Sequence, residues 1–122
     1  MKTLEIVHRL LDDTYRPASK SGTYSLKHVM HGDRVSLNYS TIVHFASERS
    51  LVPQAEVAKD QARQLIKDRV NRLKKEFKEE TDSSLKYKDM GESDSIELIE
   101  STSNSPRKVA YYRYTQILKI TD

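Results

Sequence analysis

Four histidines, His8, His28, His31 and His44, are the side chains here best suited to acid–base or metal chemistry. An imidazole titrates near neutrality and offers a lone pair to a metal. Their spacing argues against a shared site. On a strand, His28 and His31 lie three apart and point to opposite faces, while His8 stands beside Val7 in a segment of helical periodicity. The carboxylates Asp12, Asp13, Glu48, Glu97 and Glu100 have no spacing that singles out a catalytic pair, and HExxH, DxDxDG and GxSxG are absent. Without cysteine there is no thiolate nucleophile, disulfide or Cys-containing metal centre. Three glycines, at 22, 32 and 91, cannot build a dinucleotide or phosphate loop. The expectation is a non-enzymatic protein with no catalytic, cofactor-binding or metal residues.

Bases interleave with rings at Arg107, Lys108, Tyr111, Tyr112, Arg113 and Tyr114, a pattern that suits stacking against single-stranded nucleic acid. With Arg69, Arg72 and Lys75, the residues Arg107, Lys108 and Arg113 define one reading, a small nucleic-acid-binding or regulatory module. The charge distribution favours a different one. The 21 bases and 18 acids leave a net charge of +3, and they divide as 7 and 5 over residues 1–53, 8 and 6 over 54–80, and 6 and 7 over 81–122. No segment is a polycation, whereas nucleic-acid binders concentrate their bases on one surface. Tyr112 and Tyr114 fall on the apolar face of their strand and read as core.

The elements that must position these groups follow from periodicity. Leu4, Val7 and Leu11, widened by Ile6 and Leu10, make residues 3–13 a short amphipathic helix with Thr3 as its cap, and 16–22 is a polar connection. Residues 23–31 and 34–47 alternate with period two around Gly32-Asp33, a two-residue hairpin signal. If His31 opposes Arg34, then Met30, His28, Leu26 and Tyr24 oppose Val35, Leu37, Tyr39 and Thr41 on one face, so turn and pattern select the same register. From 54 to about 80, Ala55, Ala58, Ala62, Ile66, Val70, Leu73 and Phe77 form a narrow helical stripe, with Pro53 in the first turn. So long a helix is expected to project at one end or to meet a partner there. Residues 81–94 read as a polar connection. Residues 95–102 and 107–121 read as strands around Ser103–Pro106, and facing Ile96 and Leu98 towards Ala110, Tyr112 and Tyr114 requires an even pairing sum, 208 or 210. Apolar residues on both faces of the last strand mark it as central or covered by another subunit.

These elements compose one α+β domain over 1–122: an antiparallel sheet of two β-hairpins, the long helix across one face and the short helix beside it. Only 36% of the residues are hydrophobic. The shortage sits in the long helix and in 81–94, where partner surface is expected to complete the fold.

The order helix, hairpin, long helix, hairpin, carried by Leu4–Leu11, Tyr24–Phe45, Ala55–Phe77 and Ile96–Ile120, resembles small neck, tail-completion and tail-terminator proteins of tailed bacteriophages. The resemblance implies a non-enzymatic subunit of a cyclic homo-oligomer, located in the virion if phage-derived and otherwise cytoplasmic. It carries over no functional residue. The surfaces expected to meet other subunits are His31 and Arg34 at the hairpin tip, Lys74, Lys75 and Lys78 on the long helix, and Tyr111 and Arg113 on the last strand. Nucleic acid is the less favoured partner. No membrane partner is expected, since no apolar run approaches the roughly 18 residues of a span.

Overall fold

A computed structural model describes residues 3–13, 24–99 and 108–121. The connection 16–22, Arg107 and the turn at Ser103–Pro106 lie outside these residues. The elements are α1 (Thr3–Asp13), β1 (Tyr24–His31), β2 (Arg34–Phe45), α2 (Glu48–Thr81), β3 (Lys86–Ile99) and β4 (Lys108–Thr121). The strands form one antiparallel sheet in the order β1-β2-β4-β3, with both helices on one face. The first hairpin has the expected register, Met30 opposite Val35 through Tyr24 opposite Thr41. The second pairs Ile96 with Tyr112 and Leu98 with Ala110, a sum of 208. β4 is central, which accounts for apolar residues on both of its faces.

The core joins the narrow stripe of α2 to the widest side chains of the sheet. Ala55, Ala58, Ala62, Ile66, Val70, Leu73 and Phe77 are all buried, in one cluster with Val35, Leu37, Tyr39, Tyr112, Tyr114 and Leu118. Small residues on the helix leave room for rings on the strands, and Tyr39, Tyr112 and Tyr114 are each no more than 1% exposed. Their hydroxyls need partners at that depth. Tyr39 donates to Gln61 Oε1 at 2.9 Å, Tyr112 to Asp94 Oδ2 at 3.0 Å, and Tyr114 to Glu92. α1 closes the core at the carboxyl half of α2 with Ile6, Val7, Leu10 and Leu11, and Arg9 pairs with Glu80.

Expectations for the start of the long helix and for residues 81–94 need correction. α2 starts at Glu48 rather than 54, which puts Pro53 in its second turn. Ser47 and Ser50 set the start: the Ser47 N–H donates to Ser50 Oγ at 3.1 Å, and Ser50 Oγ donates back to the Ser47 carbonyl at 2.8 Å. Pro53 then forfeits a single helical hydrogen bond near the end. The stripe also stays buried to Phe77, and Leu85 follows it into the core. At the amino end, the outward-facing Val52 and Val57 are 65% and 64% exposed.

The largest correction concerns residues 81–94, most of which are strand. β3 begins at Lys86 and pairs with β4 along its length. Two features hid it from a period-two reading. Its helix-facing side chains Asp89, Glu92 and Asp94 meet polar groups instead of apolar ones: Gln116 Nε2 donates to Asp89 at 3.0 Å, and Tyr114 and Tyr112 donate to Glu92 and Asp94. A β-bulge between Asp89 and Glu92 then shifts the alternation by one, so Tyr87 before it and Ile96 after it share a face. Gly91 adopts φ 107° there, and its N–H donates to Asp89 Oδ1 at 2.8 Å.

Two substitutions test this packing. Ala62→Leu, at a position 0% exposed beneath the sheet, should lower the unfolding free energy by about 1–3 kcal/mol through overpacking. Gly91→Ala meets no atom within 4 Å, so its loss, about 1–3 kcal/mol, should come from backbone strain alone. Urea denaturation checks both.

Candidate functional site

Both helices pack on one face of the sheet, and among the described residues the second face is open. The registers arrange that face in rows that run across the strands. His44, Val109 and Ile99 form one end row, followed by Ile42, Tyr111 and Glu97. The centre is polar, with Ser25, Ser40, Arg113 and Ser95, then Lys27, Asn38, Thr115 and Ser93. Val29, Ser36 and Ile117 lead to a basic end with His31, Arg34 and Lys119. A shallow depression of about 380 Å³ occupies the centre, between Lys27, Asn38, Ser40, Tyr111 and Arg113. The Arg113 guanidinium lies 4.7 Å from the centre of the Tyr111 ring, and Thr115 donates to Asn38 Oδ1 at 2.9 Å.

This face gathers four of the expected contact residues, Tyr111 and Arg113 near its middle and His31 and Arg34 at the basic end. Lys74, Lys75 and Lys78 stand apart in the helical layer, where Lys74 Nζ lies 5.9 Å over the Tyr87 ring. The residues of the nucleic-acid reading scatter further. Arg72 and Lys75 ride on α2, and Arg72 is tied to Glu76 at 3.1 Å. Lys108 falls on the helix-facing side of β4, opposite Phe45. Arg69 is not a surface base. It is 9% exposed, and its Nη2 donates to the Leu11 carbonyl at 3.0 Å and to His28 Nδ1 at 3.2 Å.

That last contact belongs to a cluster the spacing argued against. α1 lies beside β1 so that His28 Nε2 is 2.9 Å from Asp12 Oδ1, while His8 Nε2 is 3.3 Å from Asp12 Oδ2. The two imidazoles meet edge to face, 6.0 Å between centres. With Nδ1 accepting from Arg69, His28 carries its proton on Nε2 and donates to Asp12. Burial, and then the Arg69 charge, hold its pKa below the ordinary 6.5. His31 and His44 stay outside the cluster. The local signal was the His8/Asp12 spacing of four on one helix face. The third member comes from tertiary packing.

On the helical side, Arg63 clamps Glu92 with two donors, one of them Nε at 3.1 Å. The guanidinium first and the Tyr114 hydroxyl second hold the Glu92 carboxyl down at about 2, and burial pushes the Tyr114 hydroxyl up to about 12. Among the described residues no helix is long and apolar enough to cross a membrane. Compared with known protein families, curated proteins and solved structures, the chain matches none.

The Glu92 clamp has a pH signature. Its folded pKa lies below the ordinary 4.5, so in between the unfolded chain binds a proton that the folded chain does not. Stability is therefore lost as pH falls from 4.5 towards 2. Glu92 is 38% exposed, and with solvent screening the contribution is about 1 kcal/mol. Urea midpoints at pH 7 and pH 3 should differ less for Glu92→Gln than for the parent chain.

Proposed function

We propose that this chain is a non-enzymatic assembly subunit that joins copies of itself head to tail into a ring, β3 of one copy against β1 of the next. The observation that carries this reading is the match between the two outer strands. In the order β1-β2-β4-β3 with every neighbour antiparallel, β1 and β3 run in opposite directions. A second copy placed beside the first in the same orientation therefore continues the antiparallel ladder. A heterologous contact of this kind closes into a ring when the rotation permits.

The side chains support the same pairing. Keeping the helices of both copies on one side sets Ile96 and Leu98 of β3 on the face of Leu26 and Met30 of the neighbouring β1. Ile96 and Leu98 are 43% and 62% exposed, on the helix-facing side of an outer strand. On the open face, Glu97 then shares a side with Lys27, and β1 itself contains no acid. Unpaired outer strands are a liability unless something covers them. A ring would continue the sheet past both and extend the open face from copy to copy. The resemblance to neck and tail ring proteins of tailed phages agrees with this reading and would place the protein in a virion. The spread of Arg72, Lys75, Lys108 and Arg113 over both layers favours assembly over nucleic-acid binding.

Native mass spectrometry of the purified chain should show one closed oligomer. The double substitution Ile96→Lys and Leu98→Lys, at exposed positions, should leave the circular dichroism spectrum unchanged and yield monomers. A parent chain that stays monomeric at high micromolar concentration would refute the ring. Binding to single-stranded DNA that weakens steeply with salt would instead favour the nucleic-acid reading.

A further inference from the structure

We propose that His8, Asp12 and His28 form a binding site for one divalent first-row transition-metal ion. Two imidazoles and one carboxylate are a donor set for zinc and its neighbours, and three protein ligands leave further positions for water or an exogenous group. The geometry is close to what such an ion requires. One ligand atom from each residue lies within 4.8 Å of the others, with 2.9 Å and 3.3 Å between the imidazole nitrogens and Asp12. Tetrahedral ligands about 2.0–2.1 Å from a zinc ion sit about 3.3–3.4 Å from one another, so small side-chain rotations suffice.

The parts are also arranged as a site. His8 and Asp12 project from one face of α1, each side chain 56% exposed, which leaves the outer coordination positions open to solvent. His28 comes from β1 and is 8% exposed, so its ring is held by packing with Nε2 aimed at Asp12. A tie between α1 and β1 needs only the His28–Asp12 bond. The second imidazole on the same carboxylate is what turns a tie into a three-donor cluster.

Arg69 sets the terms of binding. A metal on His28 Nε2 moves the ring proton to Nδ1, where Arg69 Nη2 now donates at 3.2 Å. Arg69 must give up that bond and keep its donation to the Leu11 carbonyl at 3.0 Å, and its charge opposes the ion. Metal binding and the Arg69–His28 bond thus exclude each other, which makes the ring tautomer of His28 the point of exchange.

The test uses the tag-free, metal-stripped chain, titrated with zinc chloride by calorimetry and with cobalt chloride by visible absorption. One ion should bind per chain. His8→Ala and Asp12→Asn, both at exposed positions that leave the core intact, should each weaken zinc binding by about 10–100-fold or more. His31→Ala and His44→Ala should bind as the parent does. Zinc should also raise the melting temperature of the parent and not that of the His8→Ala, Asp12→Asn double variant. Equal affinity in the parent and that double variant, or loss of binding with His31 or His44, would overturn the site. Neither result depends on whether the chain forms rings.

Discussion

Three tyrosine rings set against three alanines hold this molecule together. Tyr39, Tyr112 and Tyr114 rise from the two central strands, and Ala55, Ala58 and Ala62 let α2 come down over them. A ring buries far more area than a methyl group, so the sheet supplies the bulk that the helix stripe lacks. The low apolar content is therefore no defect at the centre. It is a division of labour in which one layer is wide and the other narrow, and either layer would be short of contacts alone.

Burying tyrosines brings an obligation, because each hydroxyl must find an acceptor. Gln61 answers for Tyr39 from α2, and Asp94 and Glu92 answer for the other two from β3. The polar character of β3 follows. Its inward side chains lie at the far ends of the rings, where a leucine would leave two hydroxyls unsatisfied. Arg63 then neutralises Glu92 and binds α2 to the outer strand.

Those relations explain what could be read beforehand. The β1–β2 register was legible because turn chemistry and binary pattern agree within 22 consecutive residues, from Tyr24 to Phe45. The α2 stripe was legible from Ala55 to Phe77 because burial there has a single period. The start of α2 was hidden because the Ser47/Ser50 hydrogen bonds set it ahead of Pro53. Most of β3 was hidden because its inward residues satisfy hydroxyls and a guanidinium, so a hydrophobicity count registers a loop. The contact of His8 and Asp12 with His28 joins two elements across a stretch without periodicity, and no local pattern reports on it. Only the spacing of His8 and Asp12 was visible, two of the three members of the cluster.

The bulge at Met90–Gly91 gives β3 an unusual tolerance profile. Most of its side chains are exposed, so composition along the strand is free to drift at little cost in stability. Its length is not. Removing one residue between Asp89 and Glu92 would straighten the strand and leave both on the helix face, whereas removing one elsewhere along it would turn one half of the strand over. Related chains should therefore vary widely in the letters of this segment while changing its length only at the bulge, the reverse of what its loop-like sequence suggests.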